Sequence, residues 1–195
     1  MWVVKLGGSL SASPGLRDWL DGLALLGGGR VIIVPGGGGL ADEVRRLQAR
    51  WQFDDLPAHN MAVLAMAQNA WLMCGLQPAL QLVEREGDIV RTLRQARTVV
   101  WSPLELVRQV PDANTNWAVT GDSIALDLAR RQNAERLVLV KSCQTAGEDL
   151  AALHRRAVLD AGFMDRVDSV SFPIDVLHVD QWPQARGLLL GQAVP

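Results

Sequence analysis

The sequence has no tyrosine, few cysteines and few histidines, and each shortage excludes a class of protein. The two cysteines, Cys74 and Cys143, form no Cys-x-x-Cys pair, so we expect reduced thiols rather than a disulfide framework. His154 and His178 have no ligand-like spacing with other metal-binding side chains, which predicts that no protein side chains hold a metal. These features are typical of a cytoplasmic protein.

Long hydrophobic runs and a strong excess of one charge are also missing. The apolar start of the chain stops at Gly7, which is too early for a signal peptide, and no later run is long enough to span a bilayer. A net charge of -2 predicts no broad binding to nucleic acid or to an anionic membrane. We therefore expect a soluble, cytoplasmic protein.

Short apolar runs alternate with helical patterns along the chain. The runs predict buried strands at 2–6, 31–35, 98–101, 137–140 and 176–179. Helical spacing and capping predict helices at 15–26, 40–50, 61–75, 124–131 and 149–161, and a further helix starting at Ser102. This alternation predicts one domain over 1–195, a three-layer α/β/α sandwich with a mostly parallel central sheet.

Two segments have less regular patterns. The helix at 61–75 is apolar on almost all sides, so we expect it in the domain centre or at a subunit contact. Residues 84–97 are polar and mixed, which favours a hairpin or a mobile lid.

Lysine is the most informative of the scarce residues. Of nineteen basic residues, only Lys5 and Lys141 are lysine, and both stand where a predicted strand ends. A lysine ammonium is a compact charge that suits phosphate, and α/β sheets bind ligands at the carboxyl ends of their strands. The two positions therefore indicate a phosphate site.

Glycine-rich turns follow the first two predicted strands. Gly7 and Gly8 follow the first, and four glycines at 36–39 follow the second and lead into a helix. Exposed backbone N–H groups and a helix N-terminus both favour bound anions. The second turn also matches a dinucleotide fingerprint, but residues 51–58 do not read as the strand that this fingerprint requires before its acidic residue. A Walker A loop is excluded because Val140, not glycine, precedes Lys141.

A third segment, 116–125, places Asp122 at the start of a predicted helix. Helix capping is a frequent use of aspartate at this position. A capping role does not exclude a catalytic one, because the same carboxylate could orient lysines or a metal.

Taken together in chain order, these segments resemble the motifs of the amino acid kinase superfamily. They are a strand followed by Lys-Leu-Gly-Gly-Ser, a strand followed by Pro-Gly-Gly-Gly, then Thr-Gly-Asp-Ser-Ile-Ala, and a strand followed by Lys-Ser. Residues 58–66 and 117–125 most resemble the (5-(aminomethyl)furan-3-yl)methyl phosphate kinases of methanofuran and methylofuran biosynthesis. The resemblance covers residues 1 to about 145. It implies an acceptor side over roughly 1–110 and a nucleotide side over roughly 111–195.

The resemblance implies a role for each matching residue. Lys5 and Lys141 would contact the β- and γ-phosphates of ATP, and Asp122 would orient the lysines or help to place Mg²⁺. The residues assigned to the ATP phosphates are Gly7, Gly8, Ser9 and Ser142. Those assigned to the acceptor are Gly36, Gly37, Gly38, His59, Asn60, Thr120 and Gly121.

The sequence also departs from the superfamily pattern. Residues 142–148 lack the Asp-Gly-Val/Leu-Tyr stretch, and no Asp-Pro follows, although these build the nucleotide pocket of many members. This leaves the nucleotide preference open. Thr120, Gly121 and Asp122 resemble the isopentenyl phosphate kinase version, but the histidine that those enzymes carry beside the second glycine turn is missing at 39–41.

We therefore predict a homo-oligomeric kinase that transfers the γ-phosphoryl group of Mg-ATP to a small phosphate monoester. The first choice of acceptor is the aminomethylfuran phosphate, whose ammonium needs a partner at Asp54, Asp55 or Asn60. Isopentenyl phosphate, an amino acid or a nucleoside monophosphate are alternative acceptors. A non-catalytic ligand-binding protein on the same fold is an alternative of a different class.

Overall fold

A computed structural model describes residues 1–145 and 147–192 of the chain. Its strands are β1 (Trp2–Leu6), β2 (Val31–Pro35), β3 (Gln81–Val83), β4 (Val99–Trp101), β5 (Arg136–Lys141) and β6 (Ile174–His178). They form one six-stranded sheet in the order β3-β4-β2-β1-β5-β6. Every pairing between neighbouring strands is parallel.

Helices cover both faces of this sheet. They are α1 (Gly15–Leu26), α2 (Gly38–Trp51), α3 (Asp55–Leu76), α4 (Ile89–Arg94), α5 (Gly121–Arg131), α6 (Leu150–Arg155), α7 (Met164–Val167) and α8 (Trp182–Leu189). Successive strand residues point to opposite faces, so the sheet supplies two cores. Val4 packs in one core with side chains of α1 and α8, and Val3 packs in the other with side chains of α4 and α5. The predicted α/β/α fold class is confirmed.

The strand register brings the predicted site segments to one edge of the sheet. In the central strand β1, Leu6 lies opposite Pro35 of β2 and Val140 of β5. The residues that follow these three positions are Gly7, Gly36 and Lys141. Because parallel strands end at the same edge, the two glycine turns and the second lysine are neighbours in space.

The structure also excludes the dinucleotide-binding alternative. The strand order differs from the 3-2-1-4-5-6 order of that fold. The acidic residues that would have to end a strand, Asp54 and Asp55, instead lie at the start of α3.

The prediction of a helix that starts at Ser102 is wrong. Only a 3-10 turn, Leu104–Leu106, forms there. The next backbone groups are held by α3 instead of by helical partners: His59 bonds the carbonyl of Leu106, and Asn60 bonds both the N–H and the carbonyl of Arg108. Tertiary contacts therefore override the local capping pattern.

The predicted helix at 149–161 ends early. Asp149 caps α6 as expected, but the helix stops at Arg155, and Ala157 takes a left-handed φ of 55°. That conformation ends helices. The chain that follows turns back toward the ends of β1 and β5.

Residues 84–97 form neither a hairpin nor a lid. They contain a 3-10 turn, Glu86–Asp88, and the short helix α4. Glu86 accepts hydrogen bonds from Arg131 and Gln132 of the α5 end, and Ile89 is fully buried. The contact of Glu86 with α5 and the burial of Ile89 fix the segment against the domain.

Helix α3 is the longest helix, and it is only partly buried. Its exposed side chains include Leu64, Trp71 and Leu72, which are 45%, 60% and 40% accessible. Among the helices of residues 1–145 and 147–192, none combines the length and the hydrophobicity needed to cross a membrane.

Candidate active site

The two glycine turns touch each other directly through their backbones. A Cβ atom added to Gly8 would lie 2.1 Å from the backbone N of Gly38, and one added to Gly36 would lie 2.3 Å from the N of Gly8. Gly38 also has a φ of 56°, which favours glycine over other residues. Side chains at these positions would push the ends of β1 and β2 apart.

A buried asparagine on α3 fixes the second turn. The amide of Asn69 donates a hydrogen bond of 2.6 Å to the carbonyl of Gly36, and Asn69 is 5% exposed. Our sequence analysis did not select this residue. The available signal was an amide inside an otherwise apolar helix, which has to find a hydrogen-bond partner when it is buried.

Lys5, Asp122 and Lys141 form one buried cluster at the carboxyl ends of β1 and β5. The ammonium of Lys5 lies 2.9 Å from Oδ1 of Asp122, and that of Lys141 lies 2.6 Å from Oδ2. The relative exposures of the three residues are 6%, 3% and 9% in sequence order. Lys141 also donates a hydrogen bond of 2.6 Å to the carbonyl of Val158.

The three residues of the cluster are buried and charged, and each charge acts on the pKa values of the others. Burial alone would raise the pKa of Asp122, but the two ammonium groups outweigh burial and hold that pKa at about 2. Burial and the nearby charge of Lys5 lower the pKa of Lys141 below its ordinary value, against the opposing effect of Asp122. These two ammonium groups and one carboxylate carry one net positive charge, and the nearby carboxylate of Asp160 acts against it.

Asp160 contacts the cluster, although no local sequence pattern indicates a role for it. Its carboxylate accepts hydrogen bonds from the backbone N–H and the hydroxyl of both Thr120 and Ser123. Its own N–H lies 3.3 Å from Oδ2 of Asp122. The start of α5, which carries Asp122, is thus held from a distant part of the chain.

Beside the cluster lies a cavity of about 260 Å³. Lys5 and both glycine turns line one end of it, and Val63, Met66 and Ile124 add apolar surface. The predicted site residues that line the cavity are Lys5, Gly8, Ser9, Gly36, Gly37, Gly38, His59, Thr120 and Gly121. Two long helices, α2 and α5, begin at this cavity, so their N-terminal N–H groups and dipoles favour an anion there.

The other predicted site residues lie outside this cavity. Gly7 donates its N–H to the carbonyl of Val140 at 2.9 Å. Ser142 is exposed, and its hydroxyl lies 2.8 Å from the hydroxyl of Ser9, which does line the cavity. Asn60 holds the backbone of Arg108 with both ends of its amide.

His59 lines the cavity as a neutral side chain. Its Nε2 lies 3.0 Å from the carbonyl oxygen of Leu106 and 3.3 Å from the Nε of Arg108. Burial lowers the pKa of His59, and the positive charge of Arg108 lowers it further. At neutral pH, His59 therefore adds polarity to the cavity but no charge.

Charged and aromatic side chains line the part of the cavity formed by α2, α3 and the loop before α5. The indole N–H of Trp117 donates to Gln48 at 2.6 Å, and the guanidinium of Arg45 lies 4.3 Å from the Trp117 ring centre. Gln48 also donates a hydrogen bond of 2.9 Å to Oδ1 of Asp55. Asp42 and Asp55 both line this part, whereas Asp54 does not.

The cluster does not fit a magnesium ion bound by the protein. Both oxygens of Asp122 face ammonium groups at hydrogen-bond distance, so its carboxylate is occupied as a lysine partner. In residues 1–145 and 147–192 there is no group of three carboxylate, histidine or cysteine side chains that could hold a metal. The arrangement favours Asp122 as an organiser of the lysines over Asp122 as a metal ligand.

Comparison with curated proteins gives one informative relative. The chain is 23% identical over 141 residues to [5-(aminomethyl)furan-3-yl]methyl phosphate kinase of Methanocaldococcus jannaschii, and the match covers 71% of this chain. It spans 64% of the relative, which is less than two thirds of its length.

Solved structures of proteins named as other kinases share the fold of this chain. Uridylate kinase from Archaeoglobus fulgidus superposes with a TM-score of 0.71 at 17% identity, over 100% of this chain and 98% of that chain. An isopentenyl phosphate kinase superposes with a TM-score of 0.63 at 14% identity, over the same shares of 100% and 98%. At such low identity these similarities establish the fold alone. The amino acid kinase family profile matches residues 1–144, most of the chain. The chain therefore belongs to the amino acid kinase family.

Proposed function

We propose that the protein is a kinase that transfers the γ-phosphoryl group of ATP to a small phosphate monoester. The observation that carries this proposal is the buried Lys5–Asp122–Lys141 cluster beside two touching glycine turns. Phosphoryl transfer needs positioning and charge neutralisation more than covalent chemistry. A non-catalytic binding protein would not need two lysines locked on one buried carboxylate.

Each part of the site has a distinct role in this proposal. The acceptor phosphate lies at the turn 36–38, where the N-terminus of α2 and Lys5 favour negative charge. Lys141 lies on the other side of Asp122, next to Ser9 and Ser142, where the phosphates of ATP would enter. Asp122 keeps both ammonium groups aimed at the group in transfer. Magnesium arrives as part of the substrate, bound to the ATP phosphates.

For the acceptor, we propose the aminomethylfuran phosphate named in the Methanocaldococcus relative. A cavity of about 260 Å³ suits a small ring, and its apolar wall suits a flat one. The ammonium group of this acceptor needs a carboxylate or a carbonyl oxygen as a partner. Of the three candidates from the sequence, Asp55 lines the cavity, Asp54 does not, and the amide of Asn60 is used by Arg108.

Isopentenyl phosphate is the second candidate, supported by the apolar wall of Val63, Met66 and Ile124. A prenyl chain needs that wall and no carboxylate. Asp55 at the cavity favours the amine over the prenyl chain, because its carboxylate can pair with an ammonium group but not with an apolar ligand. Asp42 is already paired with Arg45 at 2.8 Å.

The experiment compares turnover of the two acceptors with saturating Mg-ATP, in the unsubstituted protein and in a matched pair of variants. Asp55→Asn removes the carboxylate that lines the cavity, and Asp54→Asn removes its neighbour outside. We expect Asp55→Asn to raise the KM for the amine by about tenfold or more and to leave isopentenyl phosphate unchanged. Preferred turnover of isopentenyl phosphate, or equal effects of the two substitutions, would refute the amine assignment and leave the kinase proposal standing.

We also propose that the protein works as a homo-oligomer in the cytoplasm. From residue 61 onward, the exposed residues of α3 lie at positions 64, 68, 71, 72 and 75, so they form one stripe along this part of the helix. Leu64, Trp71 and Leu72 make this stripe largely apolar. A twofold dimer buries the same patch on both subunits, which suits a single apolar stripe.

A further inference from the structure

The first turn of α5 is fixed by a residue from outside the helix. Thr120 occupies the N-cap position, but its side chain makes no capping hydrogen bond to the helix. Instead, Oδ2 of Asp160 lies 3.0 Å from the N–H of Thr120 and 3.0 Å from that of Ser123. The hydroxyls of both residues donate to the same carboxylate.

The segment around Asp160 also contacts the charged cluster itself. The N–H of Asp160 lies 3.3 Å from Oδ2 of Asp122, the oxygen that pairs with Lys141. Two residues earlier, the carbonyl of Val158 accepts the hydrogen bond from Lys141. One short segment therefore touches both the carboxylate and the second lysine.

We propose that Asp160 is a positioning residue of the proposed phosphoryl transfer. Its carboxylate holds the first turn of α5 in place and thereby sets the position of Asp122 between Lys5 and Lys141. This inference rests on the kinase function proposed above. Asp160 does not line the cavity, so it acts through Asp122 and Lys141 rather than on a substrate.

The charge of Asp160 gives the proposal a specific signature. The groups that act on the Lys141 ammonium are Lys5, Asp122 and Asp160, and the negative charge of Asp160 favours the protonated form. Neutralising Asp160 should therefore move deprotonation of Lys141 to lower pH. A helix-capping carboxylate that lies far from Lys141 would leave the titration of Lys141 unchanged.

The chain offers an unusually direct readout, because it contains only two lysines and both lie in the cluster. Protein labelled with ¹³C-lysine gives one side-chain signal for each, and Lys141→Met assigns them. The test variant is Asp160→Asn, which keeps the size of the side chain. The matched control is Asp149→Asn, since Asp149 also caps a helix, α6, but lies on the exposed surface.

In Asp160→Asn we expect kcat to fall by about tenfold to 10²-fold with an acceptor KM within about twofold of the unsubstituted protein. The Lys141 signal should titrate at least about half a pH unit lower. Asp160→Glu, which keeps the charge on a longer side chain, should restore the titration but only part of kcat. Asp149→Asn should leave both unchanged.

A folded Asp160→Asn protein with unchanged kcat and unchanged Lys141 titration would overturn the proposal, as would equal losses in Asp149→Asn. If Asp160→Asn does not fold, Ser123→Ala serves instead, because it removes one hydrogen-bond donor to the same carboxylate and should also lower kcat. An unchanged kcat in Ser123→Ala would likewise overturn the proposal. If the unsubstituted protein turns over no phosphate acceptor, the proposed function fails, and the lysine titration still tests Asp160 separately.

Discussion

Replacing Lys141 with methionine removes an ammonium group while keeping the length of the side chain. In the structure this ammonium lies 2.6 Å from the carbonyl of Val158 and 2.6 Å from Asp122. A ligand oxygen about 4 Å from such a charge, at an effective dielectric constant of about 20, gains about 4 kcal/mol. If that interaction is made in the transition state, its loss lowers kcat by about 10³-fold.

The same substitution should leave the protein folded, because Lys5 still pairs with Asp122 at 2.9 Å. The pKa of Asp122 is about 2 instead of 3.8, so the lysines stabilise the fold by about 2 kcal/mol through this carboxylate. Lys141 supplies only a share of that amount, so its loss should lower the Tm of a chain of this size by less than about 4–8 °C.

The assay measures ADP release at saturating ATP and acceptor, together with a melting curve. The control is Arg91→Met, which removes a cation from the exposed pair with Asp88 and should change neither kcat nor Tm. A folded Lys141→Met protein with a kcat within about threefold of the unsubstituted protein would refute the reasoning. A loss confined to the KM for ATP would reassign Lys141 to ground-state binding.

The remaining predictions concern the second glycine turn, acid stability and assembly. Gly38→Ala should abolish acceptor binding in calorimetry, because the added Cβ would lie 2.4 Å from the carbonyl oxygen of Gly8 at a residue with a positive φ. The control is Gly39→Ala, whose added Cβ would have no atom within 4 Å, and equal acceptor affinities of the two variants would contradict this prediction. The folded pKa of Asp122 lies below its ordinary value, so its stabilisation is complete above about pH 4 and is lost as the pH falls toward about 2. Melting curves of the unsubstituted protein should show that loss and those of Asp122→Asn should not; identical pH profiles would rule it out. Trp71→Glu should convert the oligomer to a monomer in analytical ultracentrifugation with the fold intact, and an unchanged sedimentation coefficient would exclude the α3 stripe as the interface.

The parts of the site that could be predicted are those that local sequence encodes. Lys5 and Lys141 stand at the ends of apolar strands, and parallel strands end at one edge, so their proximity follows from the fold class. Asp122 was expected at a helix start, and α5 begins at Gly121. Each of these expectations needed only a short window of sequence.

The parts that could not be predicted depend on partners far apart in the chain. Asp160 acts on Thr120 and Ser123, which lie 40 and 37 positions away, and nothing near it in sequence indicates that contact. The helix expected at Ser102 fails for the same reason, because His59 and Asn60 hold the chain from 47 and 48 positions away. Helix α8 is a different case: Pro183 in its first turn was a local signal that our sequence analysis did not use.

The scarcity and burial of lysine have a consequence for the chemical reactivity of the protein. Both lysine ammonium groups are buried and paired. Acylating reagents attack only neutral, accessible amines, so these two lysines should react slowly in the native protein. Each acylated lysine would then report an opening of the site, and bound nucleotide should slow that reaction in proportion to its occupancy.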